Sequence, residues 1–196
     1  MIYLNSQTAF RRKSCFTRFL EGLVVRMIYT DYHSRDKMDD TNSNENKQQK
    51  MIAKLAEVFC NHVPFHNVVG FEFDQLSIEG CKISFTNKPE LIGNYVQQIL
   101  HGGVTATALD VVGGAMAAVG MMEKYPDADE NELGRKLARI GTIDIRIDYV
   151  RPGRGESFYA KARLLRSGSK VAVVRMELHN EKDTLIALGT GTYMMG

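Results

Sequence analysis

The order of apolar and polar residues predicts a helix and a hairpin between residues 51 and 86. Apolar residues between positions 52 and 59 follow the i, i+3, i+4, i+7 spacing that places them on one helix face. Segments 71–77 and 82–85 both favour strands, and Glu79-Gly80 between them is a turn signal. The body of the chain therefore begins with one amphipathic helix and one β-hairpin.

Residues 104–123, VTATALDVVGGAMAAVGMME, are almost entirely small or apolar, and they are long enough for about five turns of helix. A helix that is apolar on all sides is a buried helix. Gly113 and Gly114 each cost about 1 kcal/mol relative to alanine within such a helix. We expect close packing against another layer to offset that cost.

The period of the pattern changes to two after residue 139. Apolar and polar residues alternate through 143–149, which predicts a strand with one buried and one solvated face. Segments 158–165, 171–179 and 185–194 predict three more strands, and the short turns between them require antiparallel pairing. An α+β fold accounts for all of these elements: an antiparallel sheet of about six strands wrapped round one long buried helix, with an N-terminal helix, which is the hotdog architecture.

The first 50 residues differ from the rest in composition. Residues 1–37 hold seven Lys or Arg against three acidic residues, and residues 39–50 contain no apolar side chain. We therefore divide the chain into a basic leader with a polar linker, 1–50, and a hotdog domain, 51–196. The leader is either an extra helix or an upstream, non-native segment that folds poorly. We expect a chain starting at Met38 to keep its Tm within a few degrees.

Composition and charge exclude several classes of protein. The chain is 44% hydrophobic and 24% charged with a net charge of +2, which is typical of a globular protein and argues against a nucleic-acid binder. The longest apolar run, 111–122, is shorter than the roughly 20 residues of a membrane span. Three widely spaced cysteines indicate no disulfide framework, so we expect a cytoplasmic protein. No Walker or Rossmann glycine pattern is present, and we expect no cofactor.

The residues that carry candidate chemistry precede and enter the apolar helix. His101, Gly102 and Gly103 stand at its start, and Asp110 lies two turns further on. Unpaired N–H groups at a helix N-terminus, approached across glycine, make an oxyanion site of the kind that acyl transfer needs. Asp110 is a lone carboxylate in an apolar helix, and it serves either catalysis or a local hydrogen bond.

The stretch HGGVTATALD, together with a later strand that ends in Tyr149-x-x-Pro152, resembles the PaaI-type hotdog acyl-CoA thioesterases. The resemblance runs from about residue 58 to 196. The segments NYVQQILHGG, RIGTIDIRIDYVRPGRGE, KVAVVRMELHNE and TYMMG are similar to the branch of that family that acts on medium- and long-chain acyl-CoAs.

The resemblance implies a role for each matching residue. Gly102 would polarise the thioester carbonyl through its N–H, with Gly103 beside it at the substrate. Asp110 would act as general base or nucleophile, His101 would shape the loop, and Thr142 would lie near the attacking water.

Two further groups of residues are candidates for substrate binding, and each group has an alternative interpretation. Relatives carry an asparagine six residues before the histidine, where this chain has Tyr95, so the role falls to Asn94, one residue earlier, or to Gln97 or Gln98. A cluster of cations at strand ends and turns contacts either solvent or the phosphates of coenzyme A; its members are Arg151, Arg154, Arg166 and Lys170.

Helix geometry predicts a homodimer. Gly102 and Asp110 are separated by about 12 Å along a helix, whereas one thioester carbon must lie about 3 Å from both its oxyanion donor and its attacking group. Two antiparallel copies satisfy both distances, each Gly102 facing the other's Asp110. A homodimer, or a dimer of dimers, with two shared sites is expected, with acyl-CoA as its substrate.

Other readings of the sequence remain. Cys60, His62 and His66 suggest zinc, but their spacing is not a standard ligand pattern, and a satisfied histidine at a helix end explains His66 more simply. We therefore predict no metal, and expect Cys60 and Cys81 to be core thiols. A non-catalytic, acyl-CoA-binding regulatory hotdog protein is the alternative to the enzyme, and a hotdog dehydratase is a third option.

Overall fold

The computed structural model describes residues 41–195, without the side chains of 41–48, 60 and 61, so the predictions about the leader lie outside the described residues. In chain order the helices and strands are α1 (Thr41–Asn61), α2 (Pro64–Val69), β1 (Glu72–Ser77), β2 (Gly80–Thr86), β3 (Ile92–Asn94), β4 (Ile99–Leu100), α3 (Gly102–Lys124), α4 (Glu130–Leu137), β5 (Ile140–Tyr149), β6 (Ser157–Ser167), β7 (Val171–Asn180) and β8 (Leu185–Met195).

Six strands form one antiparallel sheet in the order β1-β2-β6-β7-β8-β5, and β3 pairs with β4 separately. Helix α3 packs across one face of this sheet and touches β1, β2 and β5 to β8. The four strands after residue 139 are antiparallel, as their short turns require. The predicted hotdog fold is confirmed, and its β1–β2 hairpin lies at one edge of the sheet.

The first helix begins earlier than the sequence predicts. We expected residues 39–50 to form a polar linker, whereas α1 begins at Thr41 and continues through that segment. The apolar face at Ile52, Leu55 and Ala56 is buried against the domain, as expected. Polar residues such as Asn, Gln and Lys are tolerated in a solvated helix, so the absence of apolar residues does not end one.

Close packing explains one of the two adjacent glycines in α3. A Cβ atom built on Gly113 would lie 2.1 Å from Tyr193 Oη and 2.4 Å from Met176 Sδ, so no side chain fits there. A Cβ atom on Gly114 would meet only Tyr193 Cε1, at 3.8 Å, which is an ordinary contact. The expected packing is therefore present at Gly113 and absent at Gly114.

Helix α3 has the length and hydropathy of a membrane span, although its longest uninterrupted apolar run is short. In the structure, 67% of its most apolar window is buried inside the protein. Residues such as Leu109, Val112, Met116 and Val119 are fully enclosed against the sheet. Burying each such side chain stabilises the fold by about 1.5–3 kcal/mol, so the helix is accounted for as the core of the domain.

Strand β5 is less buried than its alternating pattern predicts. Ile145 and Ile147 are half-buried, whereas Ile143 is 59% and Tyr149 57% exposed. The register of β5 against β8 shifts between Thr142 and Asp144, which takes Ile143 out of the alternation. Because β5 is also an edge strand, its exposed apolar residues have no neighbouring strand within the described chain.

Candidate active site

The Asp110 carboxylate is held by two hydroxyl groups. Thr142 Oγ1, at the start of β5, donates a hydrogen bond to Asp110 Oδ1 at 2.8 Å. Tyr193 Oη, from β8, lies 3.4 Å from the same oxygen and 3.3 Å from the Asp110 carbonyl oxygen. Both donors are neutral, so they stabilise the ionised carboxylate without cancelling its charge.

Tyr193 is a residue of this site that the sequence did not identify. Its side chain is 1% exposed, and burial raises its pKa, with the nearby Asp110 charge acting in the same direction. The phenol therefore stays protonated and remains a hydrogen-bond donor at neutral pH. Its inward position follows from the alternation along β8, where Ala187, Gly189 and Gly191 face the same side.

His101 caps α3 at its N-terminus. Its Nδ1 accepts a hydrogen bond from the Gly103 N–H at 2.8 Å, so the ring proton of the neutral form is on Nε2. A Cβ atom on Gly93 would lie 2.7 Å from His101 Cα, so the two backbones pack directly together. The Gly103 N–H is used by this cap, whereas no acceptor among residues 41–195 reaches the Gly102 N–H.

Tyr149 lies against the exposed Gly102. Its hydroxyl donates to the Gly102 carbonyl oxygen at 3.0 Å, and its ring carbon Cε1 would be 3.4 Å from a Cβ atom there. Tyr149 entered the sequence pattern only as part of a motif, and the structure gives it a contact with the candidate oxyanion donor.

The two halves of the predicted site are separate within one chain. Gly102 contacts Tyr149 at one end of β5, and Asp110 contacts Thr142 near the other end. These strand positions are seven residues apart, which is roughly 20 Å in an extended strand. One chain therefore does not bring the candidate donor and the carboxylate together.

A cavity of about 670 Å³ extends from Asp110 between α1, α3 and α4. Its volume lies within the range of small-molecule sites. Its wall is mostly apolar, and Lys54 and Glu130 form an ion pair between α1 and α4 at its rim. The lining residues are Met51, Lys54, Leu55, Val58, Phe59, His66, Asp110, Val111, Gly114, Ala118, Met122, Glu130, Leu133, Gly134, Leu137, Ala138, Ile140, Gly141, Thr142 and Tyr193.

Comparisons with known proteins show the family of this chain. Residues 97–187 match the family model described as thioesterase superfamily. The chain is 45% identical over 148 residues to the medium/long-chain acyl-CoA thioesterase YigI of Escherichia coli K12, covering 76% of this chain and 96% of the relative. The chain belongs to the thioesterase superfamily. The Salmonella typhimurium YigI is 44% identical over the same length and coverage.

A solved structure supports the thioesterase fold directly. The crystal structure of a Shewanella oneidensis protein related to the thioesterase superfamily is 52% identical, with a TM-score of 0.74, and covers 76% of this chain and 97% of that one. The family match includes His101, Gly102, Asp110 and Thr142 but ends before Tyr193. Tyr193 is thus assigned to the site of this thioesterase by its contacts alone.

Asn94 and Gln98 form the turn before the thioesterase motif. Asn94 Oδ1 accepts hydrogen bonds from the Val96 and Gln97 N–H groups, both at 3.1 Å, and Gln98 has a positive φ of 53°. The Gln98 side-chain amide donates back to the Tyr95 carbonyl oxygen. These contacts shape the β3–β4 turn, and in one chain they do not bring either side chain to Asp110.

The four cations that we expected to cluster lie at opposite ends of the sheet. Arg154 donates from both terminal nitrogens to Gln97, at 3.0 Å to its carbonyl oxygen and 3.0 Å to its side-chain oxygen. Arg151 donates to the Leu185 carbonyl oxygen at 3.1 Å. Arg166 and Lys170 lie at the β6–β7 turn, beyond most of an 11-residue strand. The four residues therefore do not form one group within a single chain, because strand β6 separates the two pairs, and their contact with coenzyme A stays a prediction.

His66 has the structural role that we preferred over zinc binding. It is buried, its Nδ1 lies 2.8 Å from the Phe59 carbonyl oxygen, and its ring stacks against Phe59. Within the described part of the chain, no group of three His, Cys, Asp or Glu side chains could hold a metal. Cys81 is a core thiol as predicted, and burial raises its pKa.

Proposed function

We propose that this thioesterase hydrolyses medium- and long-chain acyl-CoA to the free fatty acid and coenzyme A. The observation that carries the proposal is the Asp110 carboxylate, fixed by Thr142 and Tyr193 at the start of a long apolar cavity. The names of the YigI relatives support the same substrate class. They favour the hydrolase over a non-catalytic regulator that would bind the same ligand.

The cavity suits an extended acyl chain. Asp110 and Met122 both line it, and they are about 18 Å apart along α3. Each methylene moved from water into such a wall contributes about 0.8 kcal/mol. An acyl chain that extends over this distance therefore gains binding free energy that an acetyl group does not.

Asp110 supplies the chemistry in either of two ways. As a general base, its carboxylate takes a proton from a water molecule whose oxygen forms the new bond to the thioester carbon. As a nucleophile, it forms an anhydride with the acyl group, which water then hydrolyses. In both, the carbon–sulfur bond breaks, the acyl group leaves as a carboxylate, and the coenzyme A sulfur takes a proton.

We also propose that the oxyanion donor comes from a second copy of the chain. Gly102 is exposed and its N–H has no acceptor among the described residues, 41–195, yet within its own chain it lies far from Asp110. The apolar edge at β5, with the exposed Ile143 and Tyr149 in the strand and Val150 just after it, offers a surface for that copy. In an antiparallel pair, each Gly102 would face the partner's active carboxylate.

The direct test is hydrolysis of palmitoyl-, octanoyl- and benzoyl-CoA, followed with a thiol reagent. We expect turnover of both aliphatic substrates and little of benzoyl-CoA, with turnover about 10³-fold lower in an Asp110→Asn control. If the wild-type chain binds palmitoyl-CoA and releases no thiol, the protein is a binder rather than an enzyme. Preference for benzoyl-CoA would instead contradict the aliphatic substrate.

A further inference from the structure

Two helical glycines line the cavity with no packing contact that requires them. A Cβ atom on Gly114 would have only Tyr193 Cε1 within 4 Å, at 3.8 Å. A Cβ atom on Gly134 in α4 would have no neighbour within 4 Å among the described residues. Neither residue has the positive φ at which glycine is preferred.

Glycine in a helix interior is unfavourable relative to alanine, because it loses more backbone entropy on folding. At Gly113 a side chain would clash with Tyr193 and Met176, which explains why glycine is present there despite that cost. At Gly114 and Gly134 an alanine would fit and would stabilise the helix. Both residues lie in the wall of the same cavity, so the space that they leave is space in the cavity.

The position of Gly114 relative to Asp110 gives that space a direction. Asp110, Gly114, Ala118 and Met122 all line the cavity and follow one another at i+4, about 6 Å apart along α3. This row therefore runs from the carboxylate past two small residues to a large flexible one. Gly134 borders the same space from α4.

We propose that Gly114 and Gly134 determine acyl-chain specificity. Because neither has a side chain, the cavity stays open beyond the first helical turn after Asp110. This inference rests on the proposed function, since the cavity must hold the acyl chain of the substrate. A side chain at Gly114 closes the path about 6 Å from Asp110, where it excludes the distal carbons of a long chain but not a short one. Gly134 widens the path and acts more weakly.

The first test replaces Gly114 by leucine and measures kcat/KM for butyryl-, octanoyl- and palmitoyl-CoA. We expect the palmitoyl-to-butyryl ratio to fall at least about tenfold, the loss expected when two methylenes no longer reach an apolar wall. The matched control is Glu123→Leu, which adds the same side chain to an exposed position of α3 outside the cavity. That control is expected to keep the wild-type ratio.

The second test uses alanine, which separates specificity from packing. Gly114→Ala and Gly134→Ala are expected to raise Tm by about 2–4 °C each through helix propensity. They are also expected to raise KM for palmitoyl-CoA more than for butyryl-CoA. Asn131→Ala, at an exposed position of α4, is the control for propensity without a change in specificity.

Three outcomes would overturn the inference. An unchanged chain-length ratio in an active, folded Gly114→Leu enzyme would show that the acyl chain does not pass this glycine. A lower Tm, or a changed molecular mass by light scattering, in Gly114→Ala would assign the glycine to packing or assembly. Absence of acyl-CoA hydrolysis in the wild-type chain would instead refute the proposed function, which makes the two failures distinguishable.

Discussion

The two ends of the α3–β5 contact are built in opposite ways. Around Asp110, the hydroxyls of Thr142 and Tyr193 fix the carboxylate, and helices enclose the space next to it. Around Gly102, which is exposed, no acceptor among residues 41–195 reaches the backbone N–H, and the Tyr149 hydroxyl bonds the Gly102 carbonyl oxygen instead. One chain thus encloses the carboxylate that we propose as the active group, and it leaves open the N–H that we propose as the oxyanion donor.

The two ends differ in where their preorganisation comes from. A catalytic carboxylate needs fixed donors and restricted water; here two strands of one sheet supply the donors, and helices enclose the adjacent space. An oxyanion donor needs only an unused N–H group and access, which a helix N-terminus capped by His101 provides. In the pair of chains that we propose, the remaining walls would come from the second copy.

The largest effect is expected from removing the charge at the enclosed end. Asp110→Asn should lower kcat by about 10³-fold, within the range for loss of a general base, because the amide takes no proton. Asparagine keeps an oxygen for Thr142, so Tm should stay within a few degrees by calorimetry. Near-wild-type kcat would mean that the carboxylate is not the active group.

The second-largest effect is expected when different chains supply Gly102 and Asp110. Gly102→Val, whose side chain meets the Tyr149 ring, should be inactive alone, as should Asp110→Asn. Equal mixing with subunit exchange should restore about a quarter of wild-type activity, since half of the dimers are mixed and each holds one intact site. No recovery, despite mixed dimers seen by native mass spectrometry, would place the whole site in one chain.

The two hydroxyls at the enclosed end should contribute unequally. Thr142→Val removes a 2.8 Å bond to the carboxylate and should lower kcat roughly tenfold, since bonds to charged groups are worth about 1.5–3 kcal/mol and this one is partly solvated. Tyr193→Phe removes a 3.4 Å contact and should lower it only about threefold. Thr142→Ser is the control that keeps the hydroxyl. The reverse order would make Tyr193 the principal donor.

The smallest effect concerns stability of the enclosed end in acid. Burial lowers the pKa of His66, partly offset by its hydrogen bond to Phe59, so the folded chain takes up this proton less readily than the unfolded chain. The unfolded state then binds more protons as pH falls below about 6.5, and the free energy of unfolding decreases there.

The check is urea denaturation between about pH 7 and pH 5. His66→Phe should reduce the acid-dependent loss, because it removes the group whose pKa burial lowers. A loss in His66→Phe as steep as in the wild-type chain would assign the acid sensitivity to other groups.

The sequence by itself determined the kinds of elements and the candidate chemistry. Alternation of period two identified the strand at 143–149, three apolar segments after it predicted further strands, short turns made them antiparallel, and the all-apolar segment predicted the core helix. The motif from His101 to Asp110 is local, so its spacing along a helix followed from the residue numbers alone.

The tertiary structure decided which distant residues meet. Tyr193 reaches Asp110 across 83 positions of sequence, and only the register of β8 turns its side chain inward. The separation of Arg154 from Arg166 came from strand length, which a list of turn cations does not express. Gly113 and Gly114 look alike in sequence. Tyr193 fills the space beside Gly113, whereas Gly114 faces a cavity, because packing depends on which residues lie opposite in space rather than next to it in sequence.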